Sequence, residues 1–136
     1  MKKFSVLLMF FSLFLVSCNL DDEPRSVEVT LPIESVIIPQ IMELNIEHEI
    51  LIKYRRPTTC HLYDGFYYQA DGLTRILAIN AIKLNENNCQ NAEDEGPYEV
   101  IFRFKPTELE IYHFKFWTGT NIDGVEEYLE YDVEVN

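Results

Sequence analysis

A chain of 136 residues gives one domain, and 47% hydrophobic with 13% aromatic residues is enough to fill a two-layer core. With 23 acidic against 11 basic side chains the net charge is −12. A body that acidic repels phosphate backbones and anionic lipid, which speaks against nucleic acid as a partner, and serves solubility before any acidic recognition role.

Met1 to Ser17 has the parts of an export signal. Lys2 and Lys3 precede an almost wholly apolar run from Phe4 to Val16, shorter than the roughly 20 residues of a comfortable membrane span. Leu15-Val16-Ser17-Cys18 follows. This tetrapeptide resembles the lipobox of bacterial lipoproteins. The resemblance implies cleavage before Cys18, a diacylglyceryl thioether on its sulfur and, usually, acylation (palmitate, for example) of the new amino group. Several chains anchor firmly where one would not. An ordinary secreted protein with an incidental cysteine is the competing reading. Residues 18–25 then form a lipidated cysteine and short tether. Its Asp21-Asp22-Glu23 cluster resembles the acidic signal that sends many lipoproteins of Bacteroidota-type bacteria to the outer face of the outer membrane. A plain solvated linker, with the protein on the periplasmic face, is the alternative.

The body, residues 26–136, reads as strands throughout. Val27, Val29 and Leu31 alternate with Glu28 and Thr30, and Pro32 ends or kinks that strand as an edge tolerates. Val36 to Pro39 continues as a short extended piece. Ile46 to Arg56 is a long strand with Ile46, His48, Ile50, Ile52 and Tyr54 on one face, closed by Arg55-Arg56-Pro57. Cys60 to Gln69 is next, interrupted at Asp64-Gly65 by a bulge or tight hairpin, and Asp71-Gly72 is a turn. Arg75 to Leu84 is apolar on both faces. Its length and alanines permit a helix, but its isoleucines favour a central strand. Asn85 to Pro97 is a polar loop.

The strongest pattern lies in Tyr98 to Trp117. Tyr98, Val100, Phe102 and Phe104 face one way, and after a proline-led corner Tyr112, Phe114 and Phe116 do the same, with Glu99, Arg103, His113 and Lys115 opposite. Thr118 to Gly124 is turn-rich, and Val125 to Val135 closes with Leu129, Tyr131, Val133 and Val135 inward. About seven strands with regular turn signals predict an all-β sandwich. FKPTELEIYHFKF resembles the corner of immunoglobulin-like and fibronectin type III domains. There Pro106 would open the turn, Leu109 plug the end of the core, and the tyrosine-corner residue Tyr112 bond backbone near Thr107 or Glu108. The antibody pattern is not matched further, since Phe114 stands where a cysteine would be. The resemblance therefore implies a seven-stranded immunoglobulin-like β-sandwich and no antigen-binding behaviour. Taken with the lipobox, the chain resembles small surface lipoproteins of gut-type Bacteroidota, most without assigned activity.

Few residues offer chemistry. Cys60 and Cys89, outside the cytoplasm, predict a disulfide, with two buried free thiols as the alternative. His48 lies on an apolar face, His113 alternates outward and His61 adjoins Cys60; none share a zinc-ligand spacing. Adjacent Cys60 and His61 would face opposite ways on a strand, and a bonded cysteine cannot attack. Gly119, Asn121, Asp123, Gly124 and Glu130 faintly echo a calcium loop. The first position has no oxygen side chain, so a hairpin turn is the better reading, with a looser site at Asp123, Glu126 or Glu127 as the residual possibility. No cofactor or metal is implied.

Tyr63, Phe66, Tyr67 and Tyr68 crowd one segment, so alternation forces some outward, as it does Trp117. Such rings are most simply core on one face and half-covered on the other. The functional alternative is a binding surface of Tyr67, Trp117 and the turn carrying Asn121 and Asp123. The expectation is thus a non-catalytic binding or adaptor module on an outer-membrane lipid anchor. An accessory glycan-binding protein of a polysaccharide-capture system stands as the alternative, and a small hydrolase with an undetected carboxylate pair ranks last.

Overall fold

Period-two alternation becomes nine strands in the computed structural model, which describes residues 25–136. The export signal, Cys18 and the acidic cluster lie outside the described residues. In order come β1 (Ser26–Leu31), β2 (Ile33–Ile37), β3 (Ile41–Met42), β4 (His48–Tyr54), β5 (His61–Asp71), β6 (Thr74–Leu84), β7 (Tyr98–Phe104), β8 (Ile111–Thr120) and β9 (Glu126–Val135). They form a six-stranded and a three-stranded sheet, packed face to face as in a β-sandwich, and the described residues contain no helix.

Nine strands stand where seven were expected, because the N-terminal extended segment divides in three. Pro32 has no N–H to give a ladder. Before it, β1 pairs with β6 in the larger sheet; after it, β2 pairs with β4 in the smaller one. The chain then returns to the larger sheet, where β3 runs parallel to β9. Leu31 and Ile33, either side of the switch, are both buried.

Strand β6 is the centre of the larger sheet. Strand β5 covers one of its edges from Asp71–Thr74 to His61–Lys83. The other edge is shared: β8 lies parallel to residues 74–77, and β1 antiparallel to residues 79–84. Along β6 every side chain but Lys83 is buried or partly buried, so both faces are covered, which explains why RILAINAIKL is apolar on each. Leu77, Ile79 and Ala81 join the core with Ile50, Ile52, Phe104, Tyr112, Phe114, Phe116 and Val133. Fully burying each such ring or aliphatic chain contributes about 1.5–3 kcal/mol.

The smaller sheet has the order β2-β4-β7. Its outer face carries one apolar row, Ile37–Leu51–Ile101, flanked by the ion pairs Lys53–Glu99 at 2.8 Å and Arg103–Glu49 at 3.0 Å. Strand β4 starts at His48 rather than Ile46. Asn45 turns into the left-handed region at φ 60°, which a short polar side chain tolerates, and Ile46 is left half exposed outside the ladder.

A bulge decides which rings face the space between the sheets. The β5–β6 register shifts between Tyr63 and Phe66, with Gly65 at φ 91°, a conformation that favours glycine. The extra residue puts Tyr63, Phe66 and Tyr68 on the inner side and leaves Tyr67 facing out. The inner rings continue across to β4 and β7 in one run: Tyr68–Phe102–Phe66–Tyr63–Tyr54–Tyr98, with centroids 5.3–6.0 Å apart. Strands β5 and β7 are the end strands of their sheets, so this seam runs along an open side of the sandwich.

At the corner before β8, the Tyr112 hydroxyl accepts hydrogen bonds from the N–H groups of Thr107 and Glu108, both at 3.2 Å. Tyr112 is fully buried, and so is Pro106. Leu109 corrects the expectation of a plug: it is 63% exposed at the tip of the turn. Pro106 fills the position instead, because the turn carries residues 108–110 away from the core. Cys60 and Cys89 are bonded, with Cα atoms 5.4 Å apart. The polar loop is further stitched to the start of β5 by Thr59 N–H to Gln90 O and Ala92 N–H to Pro57 O.

Candidate functional site

The ladder of β8 on β6 ends at the Phe116–Leu77 pair, and that of β1 begins at Leu31–Ile79. Ala78 lies at the fork between them and is too small to fill it. On the outer face of the larger sheet this fork opens a cavity of about 200 Å³ lined by Thr30, Tyr67, Ile76, Ala78, Trp117 and Tyr128. Each ring arrives by strand geometry. Tyr67 stands opposite Ala78 because of the bulge in β5, and Trp117, one residue past the inward Phe116, stands opposite Tyr128 on β9.

Polar groups at the rim hold these rings. The Tyr67 hydroxyl donates to Gln69 Oε1 at 2.7 Å. The Trp117 indole N–H donates to Glu126, whose other oxygen accepts from the Thr120 hydroxyl at 3.0 Å. The Lys115 ammonium lies 4.6 Å from the centre of the Tyr128 ring and 3.2 Å from Glu130. The result is an apolar floor with aromatic walls and a charged margin, a surface suited to flat apolar faces with polar edges.

The structure thus brings Tyr67 and Trp117 together and adds Tyr128, Ile76 and Ala78, which sequence reasoning did not single out. The signal for Tyr128 was present, since alternation places it with the outward Glu126 and Glu130. Asn121 and Asp123 are at the tip of the β8–β9 hairpin and do not line the cavity. Asn121 builds the turn: its Oδ1 accepts from the N–H of Asp123 and of Val125, both at 3.0 Å, and its amide donates to Glu127. Two of the three acids of the loose calcium reading are engaged separately, Glu126 with Trp117 and Thr120, Glu127 with Asn121. Among the described residues no three His, Cys, Asp or Glu side chains are grouped to hold a metal ion.

The histidines are dispersed. His48 Nε2 accepts from the Glu43 N–H at 2.9 Å, closing the turn before β4. His113 Nδ1 is 2.5 Å from Asp132 on the exposed face of β8 and β9. His61 is buried and contacts the Thr58 hydroxyl at 2.9 Å. Burial, then the nearby Lys83 and Arg56 charges, holds its pKa below the usual histidine value, against the opposing effect of Thr58. Burial likewise pushes the Tyr54 and Tyr63 hydroxyls up. Hydrogen bonds from Tyr98 and Arg56 hold the Glu95 carboxyl down.

Arg75 is a further residue that the sequence reading passed over. It is buried at the start of β6, donating to the carbonyls of Gly72 at 2.7 Å and Thr74 at 2.9 Å. Its guanidinium lies over the Tyr112 ring at 4.9 Å and near Phe104 at 5.7 Å. That caps the aromatic core with a charge that keeps most of its partners.

The chain matches no family model, no curated protein and no solved structure. Among the described residues no helix is long and apolar enough to cross a membrane.

Proposed function

We propose that this protein is an immunoglobulin-like binding or adaptor module, non-catalytic, exported and held at the outer membrane by lipid on Cys18, most simply at the cell surface. The observation that carries the binding role is the convergence of Tyr67, Trp117 and Tyr128 on one open cavity. Its walls offer stacking faces, and the Glu126 carboxylate beside Trp117 is occupied by Trp117 and Thr120. The immunoglobulin-like type is supported by the Tyr112 corner and by a first strand that splits between sheets at Pro32. It departs from that plan where β6 lies parallel to β8, since the two immunoglobulin sheets are antiparallel.

The binding role is tested by placing a photo-crosslinking residue at Tyr67 in intact cells and identifying what it captures. A defined protein neighbour that disappears in Trp117→Ala is the expected result. Unchanged contacts in both Tyr67→Ala and Trp117→Ala would end the reading. Glycan binding is the second reading, favoured by flat rings beside Gln69 and Glu130 at the rim. Trp117 is the sole tryptophan, so its emission reports the cavity directly: saturable shifts with a glycan panel, lost in Tyr67→Ala, select this reading. For the address, labelled lipid incorporation should vanish in Cys18→Ala, and protease shaving of intact cells should remove a surface protein and spare a periplasmic one.

A further inference from the structure

Strand β7 is an end strand that lacks the usual protections of one. It runs straight from Tyr98 to Phe104 with no proline and no register shift against β4, and its outer edge pairs with no strand among the described residues. Natural edges are commonly blunted by unpaired charges, prolines or bulges. Here the outward charges are already matched by neighbours on β4, Glu99 by Lys53 and Arg103 by Glu49. Between them Ile101 is 48% exposed, at the end of the apolar row from Ile37 through Leu51.

The spacing of these residues identifies the occupant. When β7 is laid antiparallel against a second β7 with Ile101 opposite Ile101, Glu99 of each copy falls opposite Arg103 of the other. Val100 then falls opposite Phe102, and Tyr98 opposite Phe104. Charge across the joined sheet alternates as Lys53, Glu99, Arg103, Glu49, and the two apolar rows become one. Opposite charges facing each other across strands favour pairing, and like charges in the same place oppose it by similar amounts. The two-fold axis that relates the strands also turns the half-exposed seam beside β5 toward its own copy. That seam supplies apolar area, which a seven-residue ladder alone lacks. A heterologous peptide has no reason to match this self-complementary register.

We infer that β7 is the contact between two copies of this chain, joined antiparallel about Ile101 with Glu99 facing Arg103 across a two-fold axis. The inference is independent of the cavity at Trp117, which opens on the opposite sheet.

The test uses the protein as the cell processes it, in detergent with the micelle mass subtracted. Light scattering across a concentration series should show dimer for the unaltered protein. Glu99→Arg alone and Arg103→Glu alone should each shift it toward monomer, by placing like charges opposite one another. Mixing the two variants should restore a dimer containing one copy of each, since every altered side chain would then meet one of opposite charge. Circular dichroism on each variant checks that these exposed substitutions leave the fold intact. Ile101→Cys should give a disulfide-linked dimer under oxidation, and Ile37→Cys, two strands from the axis, should not. A protein monomeric at every concentration, single variants with unchanged mass, or a mixture that does not re-associate would each overturn the contact.

Discussion

Tyr112 shows how much one hydroxyl can organise. It accepts from two backbone N–H groups at the β7–β8 turn while its ring is fully buried under the Arg75 guanidinium. Tyr112→Phe keeps the ring and leaves both donors without that partner, so urea unfolding should show a loss of about 1–3 kcal/mol. Leu109, three residues earlier and exposed, should tolerate alanine within about 0.5 kcal/mol. The contrast tests which residue secures that end of the core. His61 gives a pH signature at the same scale. Its folded pKa is depressed by burial and by Lys83 and Arg56, so the unfolded chain binds a proton more readily. The stability it contributes is present above the ordinary histidine pKa of about 6.5 and is lost as pH falls through that value toward the lower folded one. Unfolding midpoints between pH 8 and pH 5 should decline less in His61→Gln than in the unaltered protein (~6.5 being the pivot of the difference).

At the scale of elements, the loop between β6 and β7 is held twice over, by the Cys60–Cys89 bond and by backbone hydrogen bonds from residues 57–60 to residues 90–92. Replacing both cysteines by serine should cost about 3–4 kcal/mol in the chain-entropy picture. The far-UV spectrum should stay that of a sheet protein, because the ladders of β5 and β6 do not depend on the bond. Legibility in the sequence followed how each element is buried. Strands β7, β8 and β9 bury one face, so their alternation announced them. In β6, Ile76 and Ala78 look into the outer cavity while Leu77 and Ile79 fill the core, and two covered faces erase the period that separates strand from helix. The Asp64-Gly65 interruption was visible as a glycine, but not that its extra residue would turn Tyr63 inward and isolate Tyr67. Tyr67 and Trp117 were legible as outward rings. Their grouping was offered as an alternative, but the fork that brings them together was not legible, because β1 and β8 divide one edge of β6 in a pairing written in no local pattern.

At the scale of the whole molecule, 23 acidic against 11 basic side chains set a repulsive background. The exposed ion pairs, such as Lys53–Glu99 and Lys115–Glu130, are each worth about 0–1 kcal/mol and weaken with salt. The excess of like charge acts over longer range. Raising ionic strength from very low values to about 0.15 M, where the Debye length is about 8 Å, should therefore raise the thermal midpoint. Insensitivity to salt, or a fall, would show that the local pairs outweigh the net charge. The order of strands also sets when the fold can form. Strand β1 waits for β6, β8 must find β6 across the whole of β7, and β3 has no ladder until β9 arrives. The larger sheet therefore cannot be completed from its leading segments. Until residues 126–135 are delivered, its earlier strands have unfinished borders, and the chain must be kept apart from its neighbours until the final one docks.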